Sequence, residues 1–392
     1  MTSRKASPPA DRQEWLAHPK RVVVKVGSAV LSRGGVSLDR PTIGGLATGL
    51  AGLRGKGLEV ILVSSGAILA GMEALGLTER PRDLPLKQAA AAVGQSHLMH
   101  AYEEAFQPCG QRVAQILLTQ EDLRHRGRYL NARNTLFTLL RLGIVPIVNE
   151  NDTVAVREIQ FGDNDTLSAL VANLAEADLL VMLTDTEGLF TADPRRDSSA
   201  RRIPLVRPQD AVSSFCAEEA GSVASIGGMS SKVLAARRAT LAGIPTVVAS
   251  GLRPGVLDAV LQGTDAGTFF VPSRGRMQSR KRWLAFASQP RGGIVVDGGA
   301  RQALVIGGKS LLPSGVRTTR RSFRAGDVVS LVDAEDREFA RGLANYSRDE
   351  VEKIKGLKSH EIAGVLGHKP YDEVVHRDNL VIMTGREMTN DK

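Results

Sequence analysis

The sequence predicts an α/β protein: a three-layer αβα sandwich with a mostly parallel central sheet over residues 20–272, then a small C-terminal β-barrel. Three observations predict it. Runs of Val, Ile and Leu recur without strict alternation, as strands covered on both faces require. Helix-period stretches separate those runs, and strand–helix alternation builds parallel sheets. Near residue 273 the pattern changes to short runs between glycine turns, the habit of a small barrel.

In chain order, "MTSRKASPPADRQ" has no apolar segment, so residues 1–19 read as a flexible polar tail. Strands are expected at 21–26 (RVVVKV), 59–65, 112–118, 144–149, 179–184 (LLVMLT) and 246–250. Helices are expected at 83–106, 131–142, 164–177 and 229–242. The charged stretch "SRGRMQSRKRW" opens a linker, 273–290, and residues 291–392 hold the barrel and a C-terminal tail. Within the barrel, "GGIVVDGG", "ALVIGG", "SLLPSGV", "DVVSLVD" and "REFARGLANYS" read as its short runs.

Composition narrows the partners. No apolar run approaches the roughly 20 residues of a membrane-spanning helix, so no membrane association is expected. Cys109 and Cys216 are the only cysteines, which suits a reducing cytoplasm better than a disulfide framework. Residues 273–324 carry 12 Lys and Arg against the single Asp297. That stretch suits a polyanion such as RNA, or else a solvated basic face.

In open α/β sheets ligands bind beyond the carboxyl ends of the strands, so the residues there carry the functional expectation. Lys25 closes a buried strand ahead of Gly27 and Ser28. A charge there either snorkels to the surface or meets a partner. Ser65, Gly66 and Ala67 follow the second strand and open a helix, an arrangement that presents N–H groups to an anion. Asn149 and Asp152 follow the fourth strand, and Asp163, Asn164 and Asp165 lead into the next helix. One of these is explained as an N-cap, worth about 1 kcal/mol. The rest crowd carboxylates together, which calls for a cation: a ligand ammonium, a lysine or Mg²⁺. Thr184 and Asp185 end the fifth strand. "IGGMSSK" (226–232) places Gly227 and Gly228 at a helix mouth with Lys232 in the first turn, where an anion is favoured. It is not a Walker A loop, and "GGKS" at 307–310 lacks that motif's first glycine, the position being Ala303. Lysines and preorganised N–H donors, with no evident Ser-His-Asp set, point to direct in-line phosphoryl transfer.

The motifs "VVVKVGSAVL", "VSSGAI", "LLTQEDLRHRGRYLNARNTL", "VNENDTVAV", "FGDNDTLSALVA", "LTDTEGLFTADPR" and "GGMSSK" together resemble the glutamate 5-kinase branch of the amino-acid kinase family, with a C-terminal PUA domain. The likeness runs from residue 20 to about 382. It implies the amino-acid kinase fold and transfer of the γ-phosphoryl group of ATP to the side-chain carboxylate of L-glutamate, the first step toward proline. It implies that Lys25 and Lys232 neutralise the transferring group, that Asp165 positions both, and that the N–H groups of Gly27 and Gly66 add donors. Ser65, Asp152, Asn164 and Asn149 would hold glutamate. Lys25, Thr184, Asp185, Ile226, Gly227, Gly228, Met229, Ser230, Ser231 and Lys232 would line the ATP site, with Mg²⁺ bridging the β- and γ-phosphates. Where the family often reads GTGGM, this chain has Ser225 and Ile226 ahead of Gly227. The resemblance further implies a homo-oligomer (dimer or tetramer), feedback inhibition by proline and a glutamyl-phosphate reductase as downstream partner.

Overall fold

A computed structural model describes residues 10–32, 35–155, 163–210, 228–272, 284–285 and 288–383. The chain divides into two compact units, 1–276 and 277–392.

The first unit is built on an eight-stranded sheet: β1 (Arg21–Val26), β2 (Glu59–Ser64), β3 (Arg112–Leu118), β4 (Ile144–Glu150), β5 (Leu179–Thr184), β6 (Leu205–Val206), β7 (Thr246–Ser250) and β8 (Thr268–Phe270). Their order is β3-β4-β2-β1-β5-β7-β8-β6, parallel except for the β7–β8 pair. β1 lies between β2 and β5 with Lys25 opposite Val63 and Met182. The chain reverses its direction of travel across the sheet at β1, which makes the crevice at its carboxyl end the natural ligand site.

The helices are α1 (Ala10–Leu16), α2 (Ser28–Ser32), α3 (Arg40–Gly55), α4 (Ala67–Leu75), α5 (Leu84–Phe106), α6 (Gln120–Arg124), α7 (Arg126–Arg141), α8 (Asp163–Leu174) and α9 (Met229–Leu241), with Val256–Leu261 beyond them. Asp39 caps α3 by accepting from Thr42 N, and Asp83 caps α5 by accepting from Leu86 N, each ahead of a proline in the first turn. Side chains alternate across a strand. Val22, Val24 and Val26 therefore share one core with Ile43, Ala47 and Leu50 of α3 and Leu98 and Tyr102 of α5. Lys25 consequently faces the opposite layer, where it meets α8.

The expected tail is not a tail over its second half. Residues 10–16 form α1, with Leu16 buried and Arg12 only 1% exposed. Arg12 donates to the Ala266 carbonyl, pairs with Asp265 at 3.3 Å and lies 5.7 Å from the Phe269 ring centre. A polar-looking segment docks because one guanidinium finds a carboxylate, a carbonyl and an aromatic face together. Residues 1–9 lie outside the described ones.

The second unit has a five-stranded mixed sheet, β10-β9-β11-β12-β13, made of β9 (Gly292–Val296), β10 (Val316–Arg320), β11 (Val328–Val332), β12 (Glu338–Leu343) and β13 (Leu380–Ile382). Its separate core includes Ile294, Val329, Leu331, Phe339 and Tyr346. The run "ALVIGG", expected as a strand-like segment, is instead helical over its first half and then turns: Gly298–Val305 is a helix capped by Asp297, whose carboxylate accepts from Ala300 N at 2.7 Å. That cap decides between helix and strand for a run too short for periodicity to settle.

Candidate active site

Three segments distant in sequence meet on one carboxylate. Lys25 Nζ on β1 lies 2.6 Å from Asp165 Oδ1, and Lys232 Nζ on α9 lies 3.3 Å from Oδ2. Ser231 Oγ donates to Oδ2 at 2.6 Å. All three ionised side chains are under a tenth exposed, so removing a partner would leave a buried charge uncompensated. Burial alone pushes the Asp165 carboxyl upward, but Lys25, Lys232 and the hydroxyl of Ser231 outweigh it and hold the group below the ordinary carboxylate range. Burial lowers the Lys25 ammonium, Lys232 adds to that, and Asp165 opposes both. Two ammonium groups fixed on one carboxylate at a strand's carboxyl end form a preorganised anion receptor.

The helix mouths point the same way. Gly228 precedes α9 without a side-chain cap, and the first turn carries no acidic residue, so the N–H groups of Met229 and Ser230 have no intrahelical acceptor. Gly66 opens α4 at φ 107°, a backbone state that a side chain resists. Its N–H finds no acceptor among the described residues. Gly27 differs: its N–H reaches Leu183 O at 3.3 Å, closing the β1–β5 ladder, and must leave that carbonyl to serve an anion. A Cβ at Gly27 would stand 3.5 Å from Lys25 Nζ, in ordinary van der Waals contact with the receptor.

Beside this lies an amide cluster. Asn164 Nδ2 donates to Ser65 Oγ and Asn149 Oδ1, both at 3.1 Å, and Asn149 Oδ1 also accepts from Glu150 N at 2.9 Å. Asn149 Nδ2 and Asn164 Oδ1 are buried without a partner among the described residues. An unmet buried polar atom costs about 1–3 kcal/mol, which a polar ligand would recover. Asp152 follows β4 in a loop tied down by Asn151 N to Leu118 O at 3.0 Å and by Gln88 Nε2 to Ala155 O at 3.2 Å. Burial pushes its carboxyl up to about 6, with Arg80 opposing.

Thr184 and Asp185 close β5, the neighbour of β1. Thr184 Oγ1 donates to Asp185 Oδ1 at 3.1 Å and Arg195 Nη2 to Oδ2 at 2.7 Å. Burial raises the Asp185 carboxyl, but these bonds outweigh it and leave it below its ordinary range. Ile226 and Gly227 lie outside the described residues. Lys25, Lys232, Asp165 and Ser231 are thus in direct contact, as are Ser65, Asn149 and Asn164. Among the described residues, the side-chain hydrogen bonds of Thr184 and Asp185 reach neither group.

Sequence reasoning missed some partners. Ser231, expected beside nucleotide, also bonds Asp165 through its hydroxyl, a contact that no spacing reveals. Arg195 ends the motif "LTDTEGLFTADPR" without a role read for it there, and Arg80 carries no local motif that marks it. Ser64, fully buried, bonds Ser65 O at 2.8 Å and the Tyr102 hydroxyl at 2.7 Å, a link between β2 and α5 that no spacing reveals. Among the described residues no three His, Cys, Asp or Glu side chains converge as metal ligands.

Comparison with known proteins gives a consistent picture. Residues 20–250 match the amino acid kinase family and residues 292–366 match the PUA domain. A glutamate 5-kinase of Geobacter sulfurreducens is 51% identical over 372 residues, covering 95% of this chain and 100% of the relative. One from Syntrophotalea carbinolica is 51% identical over 371 residues, covering 95% and 99%. One from Moorella thermoacetica is 52% identical over 368 residues, covering 94% and 97%.

Proposed function

The chain belongs to the amino acid kinase family, and from that premise we propose that it phosphorylates the side-chain carboxylate of L-glutamate with ATP, giving L-glutamyl 5-phosphate. The observation that carries the reading is the meeting of Lys25, Asp165 and Lys232, beside the Ser65–Asn164–Asn149 cluster. A carboxylate oxygen of glutamate attacks the γ-phosphorus, the bond to the β-phosphate oxygen breaks, and ADP leaves with that electron pair. Lys25 and Lys232 neutralise charge on the transferring group, Asp165 keeps both in place, and the N–H groups of Gly66 and Gly27 donate to it. Ser65, Asn149, Asn164 and Asp152 hold glutamate, Asp152 taking the ammonium group. Thr184, Asp185 and residues 226–232 face ATP. Mg²⁺ fits as a companion of the nucleotide phosphates, where a hard cation takes oxygen ligands.

The product is an acyl phosphate that water destroys, which favours prompt consumption by a glutamyl-phosphate reductase on the route to proline. Proline as feedback inhibitor, a homo-oligomeric state and a cytoplasmic location belong to the same reading. Among the described residues no helix is long and apolar enough to cross a membrane. The PUA domain, with exposed Arg321 and Arg324, makes RNA a secondary ligand of this reading.

The test is trapping of the product with hydroxylamine in the presence of ATP and Mg²⁺, with glutamate, aspartate and N-acetylglutamate offered separately. Hydroxamate should form from glutamate. Preference for either alternative would overturn the substrate assignment.

A further inference from the structure

We propose that Tyr102 is a positioning residue for phosphoryl transfer, acting through Ser64 on the Ser65–Gly66 peptide; this rests on the reading that Gly66 N–H serves the transferring group. Ser64 Oγ has two neighbours, Ser65 O at 2.8 Å and Tyr102 Oη at 2.7 Å. A serine hydroxyl carries one proton, and a carbonyl oxygen only accepts. Ser64 therefore donates to Ser65 O, and Tyr102 donates to Ser64. The chain of donors has one direction: Tyr102, Ser64, Ser65 carbonyl.

That carbonyl and the N–H of Gly66 are two ends of one planar trans peptide and point opposite ways. Ser64 faces the α3–α5 layer, in step with Val60 and Leu62 of the same strand. Pinning the carbonyl oxygen from that layer turns Gly66 N–H away from α5. A peptide beside glycine flips at little steric cost, so without an anchor this N–H would not hold one direction. Each bond in such a chain also polarises the next, which strengthens the terminal N–H as a donor. Tyr102 is fully buried, and burial pushes its phenol well above the ordinary range, so it remains a donor across the working pH. Packing alone would be met by phenylalanine; the hydroxyl is what the chain uses.

The test is steady-state formation of the acyl phosphate by wild type, Tyr102→Phe, Ser64→Ala and the double variant. Each single change should lower kcat about tenfold while KM for glutamate and for ATP stays within about twofold. The double variant should be no slower than Ser64→Ala alone, because Tyr102 acts only through Ser64. Turnover of Tyr102→Phe within about twofold of wild type would overturn the proposal, as would a loss confined to KM or melting temperature, or losses that multiply. If Tyr102→Phe does not fold, an unchanged kcat in Ser64→Ala overturns it alone. Absence of product from wild type would instead refute the kinase reading itself, and the relay with it.

Discussion

Near pH 6 the carboxyl of Asp152 is half protonated, because burial disfavours its charge and Arg80 compensates only in part. Its ionised form is the one that attracts an ammonium group. As pH falls through about 6, kcat/KM for glutamate should therefore fall while kcat changes little, since kcat/KM reports groups of the free enzyme. Asp152→Asn should lower kcat/KM at pH 8 and flatten this limb of the profile. An unaltered limb in that variant would assign the titration elsewhere. At this scale the sequence was informative where a residue type contradicts its surroundings. Lys25 at the close of an apolar strand and acidic groups massed before an apolar helix each demand a partner, and Asp165 supplies the one for both lysines. Tyr102 contradicts nothing locally, since a tyrosine in an apolar helix reads as core, and only its contact with Ser64 gives it a part.

At the scale of elements, α4 and α5 pack backbone against backbone, and glycine permits it. A Cβ on Gly94 would lie 1.8 Å from Ala67 O, and one on Gly71 would lie 1.7 Å from Ala90 O. Neither backbone can yield without parting the helices. Gly94→Ala should cost about 1–3 kcal/mol in urea unfolding and also slow turnover, because Ala67 adjoins Gly66 at the mouth of the site. Gly52→Ala in α3, where a Cβ meets nothing within 4 Å, should be neutral or stabilising by up to about 1 kcal/mol. Equal stability of the two variants would contradict the packing described. Long buried strands were legible because both faces demand apolar residues, as in β5, buried throughout. The two-residue β6 and three-residue β8 are too short to show a pattern and exist through their neighbours. The helix α1 was missed for a related reason: its anchor is Asp265, some 250 residues along the chain.

For the whole molecule, the change of composition near 273 lies close to the division at 276/277, because each unit closes its own core. What composition cannot convey is convergence. Lys25, Asp165 and Lys232 come from β1, α8 and α9, and only the parallel sheet, ending its strands at a common edge, brings them together. The most direct measurement of that claim is the rate of glutamyl hydroxamate formation by Lys232→Ala against wild type, at matched folding judged by melting temperature. Removal of this ammonium group should lower turnover by about 10²- to 10³-fold or more. Near-equal rates would contradict a site in which Lys232 meets the transferring phosphoryl group.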